Sequence, residues 1–411
     1  MKKIFLYALM FIMSVALSAQ VKPGDKAVFK EYQPGYYQNS ILKGINDFEN
    51  SRDAKPQTST YFALDISGFD LPNDTALYKI IKHSKAVSQG STGTCWCFGA
   101  VSMLESEVLR TTGKMIKLSE MFVVYNQYVE RARTFVRERG ATYFAEGSES
   151  NDVCRMMKWH GMMPASAYSG MLPGQTVHDH GKMVEEMSAY LESVKKSNSW
   201  NEEVVVANIK TILNYHMGEP PASFDFDGKT YSPKTFVTEE LKINADDYFS
   251  FMSTMDAKYN QKAELVEADN WYHSRDYYNL KIDDFIAVLV NSLENNYSAC
   301  LCGDVSEPGY DRASQSAVIP TFDIPSEYID ENARQMRLYN KTTTDDHCMH
   351  VVGFLKRNQK YWFLLKDSGA GAFDGKFKGY RFISEDYVRL KMMNILVYKT
   401  GAKIILDKII K

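Results

Sequence analysis

The sequence predicts an α+β protein with two lobes, one helical and one rich in strands. Three observations carry that prediction. Helical stripes dominate residues 95–160, and short apolar or alternating runs dominate the chain after residue 297. Between them, residues 178–284 have a more charged texture. The composition allows a substantial core: of 411 residues, 45% are hydrophobic and 24% charged, ordinary proportions for a globular chain. The formal net charge of −3 leaves no basic surplus to neutralise phosphates, which argues against nucleic acid as a partner. Aromatic residues reach 13%, which favours a large core or a cleft for an extended ligand over a coiled coil.

Taken in order, the chain opens with Lys2 and Lys3, then an apolar run from Ile4 to Leu17, then Ser18-Ala19-Gln20. That pattern predicts a secretory leader at 1–19 and hence export to a periplasm or the exterior. The run is shorter than the ~20 residues needed to span a bilayer, which argues against a membrane anchor. No Cys lies near the cut, which argues against a lipid anchor. Residues 20–79 are polar and turn-rich, an N-terminal arm laid over the body.

The helical lobe is expected at 80–177. Its first helix begins at Cys95 with Thr94 as cap, carries the stripe Phe98, Val101, Leu104 and Val108, and ends at Thr112-Gly113. A second runs from Ser119 to Arg133, and a third from Asp152 to Trp159, stopped by His160-Gly161. Residues 178–284 read as a helical insertion, with charged helices at 183–196 and 202–217 and turns such as Gly218-Glu219-Pro220-Pro221. The β-rich lobe, 285–411, is entered through a helix at 283–293. Strands are expected at 297–302, 349–355, 361–365, 380–383 and 395–398, followed by a short tail.

Six cysteines are present: Cys95, Cys97, Cys154, Cys300, Cys302 and Cys348. Neither close pair has the spacing of a zinc site. Most are expected to be small buried apolar residues, and one a nucleophile.

That one is Cys95. The run Gln89-Gly90-Ser91-Thr92-Gly93-Thr94-Cys95-Trp96-Cys97-Phe98 puts it in the first turn of a helix. Exposed N–H groups and the helix dipole there favour a thiolate over a thiol. The glycines let backbone approach a ligand, and Gln89 can aim an amide at a developing oxyanion. Downstream, Asp346-His347-Cys348-Met349-His350 places imidazoles at the start of an apolar strand. Trp362 to Gly369 is a strand ending in Asp367, an acceptor able to orient the base. Cys95, His347 and Asp367 thus follow the order nucleophile, base, orienter. His350 competes for the role of base but lies on the opposite strand face. His178 and His180 could bind a metal, but read better as a solvated loop pair.

On these motifs the chain resembles the papain superfamily of cysteine peptidases, and within it the bleomycin hydrolase (aminopeptidase C) branch. Residues 89–98 match the nucleophile segment, Asp346-His347 with Gly353 the histidine segment, and Lys366-Asp367-Ser368 the place where the family writes Lys-Asn-Ser. Leu118-Ser119-Glu120, Gly218-Glu219-Pro220-Pro221, Gly303-Asp304-Val305, Lys378-Gly379-Tyr380 and Asp386-Tyr387-Val388 extend the likeness, which covers roughly residues 80–400. His347 follows Cys95 by 252 residues. Papain-type enzymes use about 130–150, and the surplus matches the insertion that this branch carries.

The resemblance implies a papain-like two-lobed fold, thiol-dependent peptide-bond hydrolysis on peptide substrates, and no metal or organic cofactor. It also implies an aminopeptidase whose C-terminal arm enters the cleft, and a homo-oligomer, hexameric in relatives. Three positions depart from the pattern. Asp367 replaces Asn, Gly369 replaces a Trp that shields the pair from water, and Thr92 replaces a Cys, removing a disulfide. The tail after Tyr398 is short, so endopeptidase action stays open. Acyl transfer by a Cys–His–Asp site and a catalytically impaired peptide-binding protein stay open too.

Overall fold

The structure, a computed structural model, describes residues 27–31, 33–49 and 60–410. The expected leader at 1–19 and parts of the arm lie outside the described residues. Within the arm, β1 (Ala27–Glu31) and β2 (Thr60–Leu64) pair antiparallel. A π turn (Tyr37–Ile41) leads into α1 (Leu42–Glu49). The pair is tied to the body where the Leu64 N–H donates to the Pro308 carbonyl (2.8 Å).

The helical lobe is built on α2 (Cys95–Thr112), buried at every position from Cys95 to Val108. A helix surrounded on all sides is expected to be apolar or small nearly all round; α2 is so except at Glu105 and Glu107, which are met by Lys117 and Arg110. Gly113 ends it in the left-handed region at φ 74°. The expected cap does not form: the Thr94 hydroxyl pairs with that of Thr92 (2.6 Å), and only the Thr94 carbonyl serves the helix. α3 (Glu120–Arg137) runs four residues beyond its expected end and is capped by Ser119, which accepts from the Phe122 N–H (3.0 Å). α4 (Ser150–His160) stops at Gly161.

The segment read as a helical insertion supplies α5 (Gly181–Lys196) and α6 (Glu202–Met217). It is not purely helical, nor does it pack apart. Met183, Met187, Ile209 and Leu213 share the core of α2 and α3. The same segment gives β3 (Tyr248–Met252) and β4 (Tyr277–Asn279) to the main sheet. These short aromatic strands are bounded by charged turns, which is why composition hides them.

After α7 (Ile282–Glu294) come β5 (Ala299–Gly303), β6 (His347–Arg357), β7 (Lys360–Lys366), β8 (Tyr380–Ser384) and β9 (Met392–Tyr398). Each lies within a few residues of its expected position. The sheet runs β8-β7-β6-β5-β9-β3-β4 through its centre. Alternation assigns its faces: Cys300, Cys302 and Cys348 join the core of α2, whereas Leu301, Met349 and Val351 join that of α7. Gly99 permits the closest approach of α2 to the sheet; a Cβ there would stand 3.0 Å from the Cys300 sulfur. The α+β, two-lobed expectation holds.

Two expectations change. Cys302 and Cys348 form a disulfide between residues directly opposite in the β5–β6 ladder, with Cα atoms 4.0 Å apart. Cys97, Cys154 and Cys300 stay free and buried as expected. The second concerns the tail, which the family resemblance would send to the cleft and whose shortness left that open. It folds into a helix (Lys403–Ile409) whose Ile405 enters the α7 core. The tail therefore lies on the sheet face opposite α2. No helix among the described residues is long and apolar enough to cross a membrane.

The disulfide closes a sequence separation of 46 residues. A loop of that length implies a stabilisation of about 2–4 kcal/mol. Denaturant unfolding of Cys302→Ser/Cys348→Ser should show that loss relative to the oxidised protein, and a reducing agent should lower only the latter.

Candidate active site

The loop before α2 is fixed by the loop after β7. The Gln89 N–H donates to the Ser368 carbonyl (2.9 Å), and the Ser368 hydroxyl donates to Gln89 Oε1 (2.7 Å). Gln89 Nε2 donates one hydrogen to the Thr92 carbonyl (2.7 Å), which leaves its second N–H for a ligand. Gly90 adopts φ 69° with its Cα pressed against the His178 backbone, a place no side chain could share. Cys95 then stands as the first residue of α2, where the leading N–H groups have no intrahelical acceptor.

His347 opens β6, and Asp367 follows the last residue of β7, its antiparallel neighbour. The hairpin thus brings both to one end of the sheet, with His347 Nε2 2.7 Å from Asp367 Oδ1. The other ring nitrogen, Nδ1, is buried without a regular hydrogen bond. Burial opposes charge on the ring, but the Asp367 carboxylate and then Cys95 outweigh it and hold His347 well above the ordinary imidazole value. Asp367 is likewise disfavoured as an anion by burial. His347, Arg381 and the Gly369 N–H overcome this and hold it well below the carboxylate range.

Arg381 was not singled out in the sequence. It lies on β8, buried, with Nε 3.2 Å from Asp367 Oδ2 and its guanidinium over the Tyr310 ring. A lone Arg within an apolar strand was the available signal.

The competitors are accounted for. His350 is fully buried and hydrogen-bonded through Nδ1 to Ser102 (2.7 Å). Burial first, then Lys366, keeps it well below the ordinary value. His180 is not solvated as expected. It is buried beside Tyr128, and its value is pushed down to about 3 by burial. Cys97 donates to the Glu120 carbonyl (3.3 Å), and burial raises its thiol.

The expected loss of shielding at Gly369 does not occur. His347 and Asp367 are 5% and 3% exposed. Cover comes from the arm, where the Tyr37 ring meets His347 edge-on at 6.2 Å. Its neighbour Tyr36 donates to Glu146 Oε1 (2.7 Å), and the other oxygen of Glu146 accepts from the Gly93 N–H (2.6 Å). One carboxylate therefore joins the arm to the Cys95 loop. Gln89, Tyr37, His347 and Gly369 line a single cavity of about 100 Å³.

This fold has known counterparts. The solved structure of PepW from Lactobacillus rhamnosis HN001 superposes with a TM-score of 0.63 at 17% identity, covering 82% of this chain and 86% of that one. Aminopeptidase C of Listeria monocytogenes is 22% identical over 205 residues, 42% of this chain and 44% of the relative. Pro-cathepsin H of Mus musculus is 26% identical over 173 residues, 41% and 43% respectively. The fold is that of papain-like peptidases, and part of the chain is similar in sequence to an aminopeptidase C and to a pro-cathepsin H. The chain aligns with less than half the length of each of these two curated relatives. No family model matches it.

In this papain-like protein the charges at the site set a pH dependence. Asp367, depressed by its partners, contributes stability above the ordinary value of 3.8 that is lost as pH falls through its lowered one. His347, raised, contributes stability below 6.5 that is lost as pH rises through its raised one. Unfolding midpoints from about pH 3 to about pH 9 should fall at both ends, and Asp367→Asn should flatten both limbs. Arg381→Met leaves Asp367 short of a buried partner and should cost about 3–5 kcal/mol at neutral pH.

Proposed function

We propose that the protein is an exported cysteine peptidase that hydrolyses peptide bonds through a thioester and acts as an aminopeptidase. The observation that carries the reading is the hydrogen-bonded His347–Asp367 pair, charged and buried, interacting with a cysteine at a helix start. In the reaction the Cys95 thiolate attacks the substrate carbonyl carbon, and the oxyanion is received by the Cys95 N–H and the second N–H of Gln89. The His347 imidazolium gives its proton to the leaving amine as the C–N bond breaks. Water then attacks the thioester with His347 as base, releasing the carboxylate and restoring the thiol. Asp367 keeps the ring oriented and stabilises its charged form.

Export is supported by the leader pattern and by the Cys302–Cys348 disulfide, since such bonds persist in oxidising compartments. Aminopeptidase action is supported by the arm, whose Tyr36 and Tyr37 line the cavity at Gln89 and His347. Endopeptidase action is the second reading, favoured by the C-terminal helix packing against α7 and not in the cleft.

Fluorogenic peptides with free and acetylated N-termini separate the two. Cleavage confined to free termini is the expected result, and equal cleavage of acetylated ones establishes the endopeptidase. Cys95→Ala should abolish both turnover and labelling by a peptide-linked thiol electrophile. His347→Ala should lower kcat by about 10²–10⁴, and Gln89→Ala by about 10²–10³ with little change in labelling. Tyr37→Ala, which uncovers His347, should speed labelling severalfold.

A further inference from the structure

Cys95, Gly99 and Ser102 follow one another on α2 at helical spacing, so they share the face turned to the sheet. Gly99 rests there against the Cys300 sulfur and the β6 backbone. Such a contact fixes how closely helix and sheet approach, but it is non-directional and does little to stop the helix sliding or turning. Ser102 supplies direction. His350 on β6 and Lys366 on β7 stand directly opposite in the antiparallel ladder, so their side chains leave the sheet on one face. Both meet the Ser102 hydroxyl: Lys366 Nζ donates to it (2.8 Å), and His350 Nδ1 lies 2.7 Å away. An ammonium can only donate, so the hydroxyl keeps its own proton to give to His350. That ring has no other hydrogen bond among the described residues, its Nε2 being buried without one.

Lys366 Nζ also donates to Ser84 Oγ (2.8 Å), in the loop that leads to Gln89, and Ser84 donates to Glu105 on the next turn of α2. All five side chains are buried. The mechanism above uses none of them. Yet they join the places from which the site is built: the helix with Cys95, the loop with Gln89, and the strand pair with His347 and Asp367. His347 lies three residues before His350, and Asp367 directly follows Lys366. The arrangement is costly. Burial pulls Lys366 down to about 8, against Glu105 and Glu120, with Lys117 adding to the pull. Burial, then Lys366 and His83, keeps charge off His350. Apolar side chains of similar volume would fill the space without that penalty. What the polar ones add is a geometry with few alternatives, because each buried group must meet its partner.

We propose that Ser102, held between Lys366 and His350, is a positioning residue: it pins α2 to the β6–β7 pair and so sets the separation of the Cys95 sulfur from the His347 imidazole. The helix cannot slide along the sheet without breaking both hydrogen bonds, and it would leave a buried ammonium and a buried imidazole short of a partner. A misplacement of ~1 Å at a reacting pair costs as much as about 10²-fold in rate, so a modest slide is enough to matter. Its catalytic meaning rests on the peptidase reading, but the charge on His347 can be observed without turnover.

The test is an NMR titration of the His347 ring in the full-length protein, its signal assigned by its loss in His347→Ala. Cys95 is one of the groups that hold His347 up, and Cys95→Ala marks the fall when that share is gone. Ser102→Ala, which keeps every charge, should give most of the same fall, about one pH unit, and slow labelling at Cys95 about tenfold. Where peptides are cleaved, kcat should drop with KM little changed. Lys366→Met should act in the same direction, and the double variant should do no more than the larger single change, because both act through one hydroxyl. Ser106→Ala is the control. Ser106 lies one turn on, is also buried, and donates to the Ser102 carbonyl (3.4 Å); its loss should leave His347 in place. The proposal is overturned by a His347 titration unmoved in Ser102→Ala, even where the unfolding midpoint falls. An equal shift in Ser106→Ala, additive effects in the double variant, or a wild type whose His347 is not raised overturns it too. A wild type that labels at Cys95 while Ser102→Ala leaves His347 unmoved loses the pin alone. A His347 that responds to the pin in a protein that neither labels nor cleaves loses the peptidase reading alone.

Discussion

A carboxylate buried between an imidazole and a guanidinium governs the functional end of this molecule. Asp367 sits at the end of β7, His347 at the start of β6 and Arg381 on β8. An ion so far from water is tolerable only when its lone pairs are met by charged donors. Satisfying it therefore fixes three neighbouring strands relative to one another at one end of the sheet. The imidazole inherits its orientation and its proton from that arrangement, and the sulfur at the start of α2 contributes to the same charge. Arg381 acts as a positioning residue, because it reaches the ring only through Asp367.

The roof of the site comes from an unexpected direction. Gly369 leaves room above the pair, and the arm fills it with Tyr37 while Tyr36 and Glu146 anchor the arm to the Gly93 backbone. The dryness of the His347–Asp367 pair, on which its electrostatics depend, is thus supplied by a segment distant in sequence. The C-terminal helix, at the end of a tail whose shortness left its reach to the cleft open, packs against α7 through Ile405.

Much of the fold was legible from residue patterns. The α2 stripe and the strands flanking His347 and Asp367 read directly, because local periodicity dictates them. The placement of Gln89, His347 and Asp367 around one cavity followed from motif order. What escaped depends on contacts between distant segments. Cys302 and Cys348 pair because two strands share a register, which spacing alone does not encode. Arg381, Tyr37 and Glu146 act through neighbours remote in sequence. β3 and β4 are three to five residues long within a charged stretch, too short for periodicity to declare. Thr94 showed the reverse error: a good cap by composition, diverted by the adjacent hydroxyl of Thr92.

Gly99 has a mechanical consequence. Because nothing but hydrogen projects from α2 at that point, its main chain comes down on the Cys300 sulfur and on the backbone of β6 at Cys348 and Met349. The spacing between sulfur and imidazole is then set by stiff backbone, and exchanging one apolar side chain for another nearby offers no handle on it. Adaptation of such a site is channelled into its loops and its arm, leaving the junction of helix and strand as a rigid keel.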